Sequence, residues 1–212
     1  MPYTNFSHAT NRGNNIRSIF ILVFLIVPLL VFSIRDGQAE ELKIGDKAPN
    51  LMGFDPVSGS RLNLYRVLTQ MRFKTDDQGT LLVGGDGKYI NEFIHFPVVL
   101  NFFAKTCIPC LREIPTFNKI AARFQGKPVS FLYVNVDPDL SSEDAKAMLQ
   151  RFNIEIPMMM PNQNEAIRKY DAAKLPRLVV IDQKKQISKL ITGFNENLED
   201  DLTTHLSKML VE

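Results

Sequence analysis

The densest apolar stretch of the chain is its first one. Ser18 to Ile34 reads SIFILVFLIVPLLVFSI, without a charge. As a helix it would reach about 25 Å, just under the hydrocarbon thickness of a bilayer. Arg12 and Arg17 precede it, and no acid occurs before Asp36. That flank is expected to stay in the cytoplasm and everything after Arg35 to be exported. Small residues at Gly37-Gln38-Ala39 suit a signal peptidase. Two fates therefore stay open, an anchor over about 18–34 or release by cleavage after Ala39. Either way, residues 1–39 are set apart from a folded domain over 40–212.

Within that domain the pattern starts irregularly. A polar lead-in to about Ser60 carries turn signals at Gly45-Asp46, Asp55-Pro56 and Ser58-Gly59. A stretch near 66–93 reads as an insertion, with a small hairpin over Leu81-Leu82-Val83, Gly84 to Gly87 and Tyr89-Ile90. Val98 to Phe103 (VVLNFF) then predicts a buried strand. A helix follows with Leu111, Ile114, Phe117, Ile120, Ala121 and Phe124 on one face, stopped by Gly126 and Pro128. Val129 to Val136 predicts a second buried strand. Ser141, with Asp144 three residues on, opens a helix carrying Ala145, Met148, Leu149 and Phe152. A short helix from Glu165 to Tyr170, a hairpin of Arg177–Ile181 with Gln186–Ile191, and a helix with Leu198, Leu202, Leu206, Met209 and Leu210 complete the chain. The order β-α-β-α-(α)-β-β-α predicts an α/β sandwich with a mixed central sheet flanked by helices.

Charge removes several function classes. The chain has 25 basic and 23 acidic residues, a net +2. Setting aside Arg12, Arg17, Arg35 and Asp36 leaves 22 of each, so the folded part is neutral and nothing points to nucleic acid. Three scattered histidines and two cysteines supply neither a zinc cluster nor a disulfide framework.

Both cysteines sit in Cys107-Ile108-Pro109-Cys110, just past a buried strand and at the start of an amphipathic helix. There the free N–H groups and the positive end of the helix dipole stabilise a thiolate, lowering a cysteine's pKa from its ordinary ~8.5. Pro109 fits the first turn, where its missing N–H costs nothing. Cys107, at the junction, is expected to be the exposed attacking thiol, and Cys110, one turn in, the shielded resolving thiol. Other readings remain: a structural disulfide, although so short a ring restrains the unfolded chain little, half of a zinc site, or chance.

Three stretches, VVLNFFAKTCIPCLREIP at 98–115, FLYVNVD at 131–137 and KLPRLVVIDQKKQISKLITGF at 174–194, carry a resemblance. From about Ile44 onward the chain resembles the thioredoxin-fold, membrane-tethered extracytoplasmic thiol–disulfide oxidoreductases of the TlpA/ResA type. The resemblance implies a thioredoxin-like sandwich in which Cys107 and Cys110 are a redox-active disulfide and no dissociable cofactor is needed. Pro176 matches the family's cis-proline, which lies against the disulfide, and an X-Pro before a buried strand suits that isomer. Glu113 and Pro115 match the C-x-x-C-x-x-E-x-P signature, and Asn101 stands where ordinary thioredoxins keep a buried Asp. Leu175, Thr106, Lys105 and Arg177 flank these positions and are weaker candidates for touching substrate, Lys105 and Arg177 reading first as surface charges. The implied partners are protein disulfides (apocytochrome c among them), a membrane thiol carrier that donates electrons, and the membrane through the leader, with the chain a monomer.

The departures concern recognition. Thr106 replaces the family's usual Trp, Phe102-Phe103 the usual Phe-Trp, and Arg177 the Thr typical after the cis-proline. Glu113 lies three residues after Cys110 and six after Cys107, one and two helical turns below them. Next to Leu111 and Ile114 a carboxyl there is expected to be partly desolvated and to exchange protons with the pair. Two rivals remain. A peroxiredoxin-like peroxidase would resemble P-x-x-x-[ST]-x-x-C, which neither cysteine register supplies. A copper-delivering thioredoxin-fold chaperone would resemble C-x-x-x-C, one residue longer than this pair.

Overall fold

Val98–Phe103 is strand β5, and all six of its residues are buried. A strand shielded on both faces needs apolar side chains on both, which is why VVLNFF shows no alternation. This computed structural model describes residues 41–211, so the leader expected over 18–34 and the cleavage site after Ala39 lie outside the described residues. Among the described residues no helix is long and apolar enough to cross a membrane.

In chain order the elements are β1 (Met52–Phe54), β2 (Arg61–Asn63), α1 (Leu64–Val67), β3 (Thr69–Phe73), β4 (Asn91–His95), β5, α2 (Ile108–Arg123), β6 (Ser130–Asn135) and α3 (Ser142–Arg151). There follow β7 (Met158–Pro161), α4 (Gln163–Tyr170), β8 (Arg177–Ile181), β9 (Ile187–Thr192) and α5 (Leu198–Met209). Seven strands form one sheet in the order β2-β1-β7-β6-β5-β8-β9. β5 runs parallel to β6 and antiparallel to β8. Side chains alternate across the sheet. Val99 and Phe103 join Ile114, Phe117 and Ile120 of α2, Ala145 of α3 and Leu202 of α5 in one core. Val98, Leu100 and Phe102 join Leu64 of α1 and Ala166 and Tyr170 of α4 in the other. Asn101 shares the parity of Val99 and Phe103 and so faces α2.

The helix ends follow their local chemistry. In α3 the Ser141 hydroxyl accepts from the Asp144 N–H at 3.0 Å, the expected cap. In α2 the apolar face is buried from Ile114 to Ile120, and the Phe117 ring meets Phe131 and Tyr133 edge-on. Replacing such a ring by Ala costs about 3–5 kcal/mol. Gly126, at φ 75°, lets the chain reverse toward β6.

Three features of the sheets differ from expectation. β7 is a buried strand reading MMMP, a composition with no strand signature, which supplies a missing member between α3 and α4. β1 and β2 are three-residue strands added beside it. A Cβ on Gly53 would lie 2.7 Å from the Met160 carbonyl, so this close approach of β1 to β7 requires glycine. The expected 81–90 hairpin is the tip of a longer arm. β3 and β4 pair only with each other, outside the main sheet.

Candidate active site

β5 ends at Phe103, and a short loop carries the chain to Cys107, the N-cap of α2. Asp137, 5% exposed and just past β6, fixes that loop by accepting from the Lys105 N–H at 3.0 Å. The Lys105 ammonium turns to the same side, donating to the Asp139 carbonyl at 2.7 Å and lying 3.6 Å from the Asp144 carboxylate. Thr106 is exposed. Cys107 is half-buried and Cys110 is 2% exposed, and the two sulfurs are bonded to each other. The Cys110 N–H donates to the Cys107 sulfur at 3.2 Å. Once the bond is reduced, that contact and the helix N-terminus favour a thiolate on Cys107. Cys110 is thus the enclosed sulfur, and Cys107 is the more accessible one, half-buried rather than fully exposed.

Glu113, one turn below Cys110, is 2% exposed. Burial pushes its carboxyl from 4.5 up to about 7, against the opposing effect of a 3.2 Å bond from the Asn101 side-chain amide. Asn101 Oδ1 is buried and has no hydrogen-bond partner. Tyr133 stands opposite Asn101 in the β5–β6 register. Burial, and then the Glu113 charge, push its phenol up, and its hydroxyl donates to Asn118 Oδ1 at 3.2 Å.

The Leu175–Pro176 peptide is cis. Arg177 pairs with Phe102, so the register carries Pro176 to the end of β5 from which the cysteine loop departs. Its carbonyl accepts from the Gly193 N–H at 2.8 Å. Leu175 packs against both cores. Arg177 corrects the sequence reading: it is 7% exposed rather than a surface charge. Its guanidinium donates to the Tyr170 carbonyl at 3.2 Å and to the Thr192 hydroxyl, and lies 3.9 Å from Asp171. Burial pulls its pKa down while Asp171 and Glu41 oppose that shift. The charge is spent inside the fold, clasping the end of α4 to β8 and β9. Arg177→Met should therefore cost about 2 kcal/mol, measured as a lower urea midpoint with an unchanged slope.

A family profile described as Redoxin matches residues 71–206. The chain belongs to the Redoxin family. Among curated relatives of this Redoxin member, the thiol-disulfide oxidoreductase ResA of Geobacillus thermodenitrificans (strain NG80-2) is 32% identical over 113 residues, which are 53% of this chain and 62% of that protein. The aligned part thus spans less than two thirds of that relative. A ResA of Bacillus thuringiensis subsp. konkukian (strain 97-27) is 23% identical over 197 residues, covering 89% of this chain and 96% of the relative. Among solved structures, the thioredoxin domain of a thiol-disulfide oxidoreductase from Bacteroides vulgatus superposes with a TM-score of 0.58 at 18% identity, covering 80% of this chain and 99% of that one. A thiol:disulfide interchange protein from Bacteroides sp. gives 0.58 at 17%, covering 81% and 92%. These likenesses establish the thioredoxin-like fold of this Redoxin chain.

Two surface residues near the pair escape a reading of the sequence. Ile108 is 62% exposed between the cysteines. Phe194 is 48% exposed and follows Gly193, which is bonded to Pro176. Both are apolar groups left in water at the redox end of the sheet. Among the described residues no group of three His, Cys, Asp or Glu side chains is placed to hold a metal ion.

Proposed function

We propose that this chain is an extracytoplasmic thiol–disulfide oxidoreductase that reduces disulfides of other exported proteins. The observation that carries the reading is the Cys107–Cys110 disulfide at the N-cap of α2, outer sulfur half-buried and inner sulfur enclosed, one turn above a buried carboxyl. In the reduced form the Cys107 thiolate attacks a substrate disulfide. One substrate S–S bond breaks, a mixed disulfide forms, and the first substrate thiolate leaves. Cys110 then gives its proton to the Glu113 carboxylate and attacks Cys107. The second substrate thiolate departs, two electrons have moved to the substrate, and the Cys107–Cys110 bond is restored. Leu175 and Pro176 present backbone to the extended substrate. A membrane thiol carrier returns the electrons, and the redox-active disulfide serves in place of a cofactor. In this reading residues 1–39 form the exporting leader and 40–212 the thioredoxin-like domain, and haem-site cysteines of apocytochrome c are a fitting substrate.

Reduced full-length protein in detergent should reduce about one insulin disulfide per chain. No insulin reduction would overturn the proposal, and faster consumption of hydrogen peroxide than of insulin disulfide would favour the peroxidase rival. Ile108 and Phe194 would supply the apolar contact that the absent Trp gives in the family. Burying part of a Phe side chain stabilises by about 1 kcal/mol. Phe194→Ala should accordingly raise KM for a protein disulfide about fivefold, while exchange with dithiothreitol keeps its rate.

A further inference from the structure

Two of the larger cavities of the domain lie away from the redox pair. One, of about 510 Å³, is lined by Gly126 and Val129, which lead into the start of β6. Another, of about 420 Å³, is lined by Asp182 and Lys184 in the turn between β8 and β9. The strand register places both at the Val98 end of β5. A cavity of about 310 Å³ opens at the other end, beside the sulfurs and between α2 and α3. Its lining includes Lys105, two residues before Cys107, and Leu111, the residue after Cys110. Leu140 from the loop after β6, with Ala147, Met148 and Phe152 of α3 and its cap, supplies the rest of the apolar wall.

The charges of this cavity are already engaged, and what remains is carbon. Leu140 and Met148 are 5% and 8% exposed, and Leu111 and Phe152 are half-buried beside them. The Lys105 ammonium lies 3.6 Å from the Asp144 carboxylate. The Arg151 guanidinium lies over the Phe152 ring, 5.4 Å from its centroid. An apolar side chain entering between them gains burial, whereas a polar one loses water without gaining a partner. The volume is at the lower end for ligand pockets and suits one side chain.

Position decides the occupant. β5 lies between β6 and β8, so the cysteine loop has the Leu175–Pro176 peptide on its β8 side and this cavity on its β6 side. A protein disulfide attacked by Cys107 must lay the chain next to its own cysteine across that loop. Leu111 stands four residues from Cys107, about 6 Å along the helix. An extended chain covers about that distance in two residues. Resting on the reading of this chain as a reductase of protein disulfides, we infer that the cavity between α2 and α3 is a substrate subsite. It takes a large aliphatic side chain two positions from the cysteine under attack, so the enzyme selects on an apolar neighbour as well as on the disulfide.

The test uses reduced full-length protein in detergent and three synthetic peptides, each with one internal disulfide. They carry Leu, Ala or Asn two positions outside each cysteine, Asn matching Leu in shape but not in polarity. The second-order rate constant for reduction should be about tenfold higher for the Leu peptide than for either of the others. Ala147 is exposed on α3, so Ala147→Trp fills the cavity without entering the core and should bring the ratio of Leu to Ala peptide down to about one. Equal rate constants for the three peptides overturn the inference while leaving the reductase reading in place. A Leu preference that persists in Ala147→Trp places the selectivity elsewhere and overturns it as well. Reduction of none of the peptides removes the reading and the inference together.

Discussion

Cys110→Ala should accumulate as a covalent adduct to its substrate, whereas Cys107→Ser should form none and lose essentially all disulfide reduction. The asymmetry comes from position. Cys107 caps α2, half-exposed, with an N–H of the first turn on its sulfur at 3.2 Å. Cys110 is enclosed and reaches only Cys107. Removing the inner thiol therefore spares the attack and stops the resolution, so the mixed disulfide persists. Non-reducing electrophoresis followed by mass spectrometry would read the adduct and name the substrate. Adducts forming through Cys110 in Cys107→Ser, with none in Cys110→Ala, would reverse the assigned roles.

Glu113→Gln should make the oxidised protein more stable at pH 8 and the reduced protein slower at pH 7. With its carboxyl raised from 4.5 to about 7, the folded protein holds a proton between those values that the unfolded chain has lost. Stability is therefore fully present below pH 4.5 and declines as pH rises toward 7, by about 3 kcal/mol once Glu113 is ionised. Glutamine cannot ionise, and its Oε1 can keep accepting the bond from the Asn101 side-chain amide. Urea midpoints for the variant should be level from pH 5 to 8 while those of the wild type fall. The same change removes the group that takes the Cys110 proton. Disulfide reduction at pH 7 should fall about a hundredfold, with a flatter pH profile and thiolate formed at lower pH, because no buried negative charge then opposes it. Matching urea curves and matching rates for the two proteins across this range would make Glu113 an ordinary helix acid.

What was legible in the sequence was whatever one short segment could express. β5 and β8 occupy the residues expected, since each is a run buried on both faces and bounded by turn residues. The cysteine pair was legible for a similar reason, its junction being written in the thirteen consecutive residues from Val98 to Cys110. β7 was hidden because three methionines and a proline carry no strand preference and its burial is supplied by β1 and β6. Asp137 was hidden because the loop it holds lies 32 residues earlier. Arg177 was misread as solvent-facing because a charge at the head of RLVVI says nothing of the Tyr170 carbonyl and Asp171 folded beneath it. Burial of Glu113 could be foreseen from its helical face, but its Asn101 partner belongs to another element and came only with the fold.

Helix α2 divides its labour along its length. Ile114, Phe117 and Ile120 hold it to the sheet, whereas Ile108 and Pro109, between the sulfurs, are exposed and belong to neither core. Changes to that dipeptide hardly touch the packing that keeps the domain folded, while they alter what a partner meets beside the sulfurs. On the function proposed above, reactivity and folding yield are therefore separable traits, and selection or engineering can move one without trading away the other.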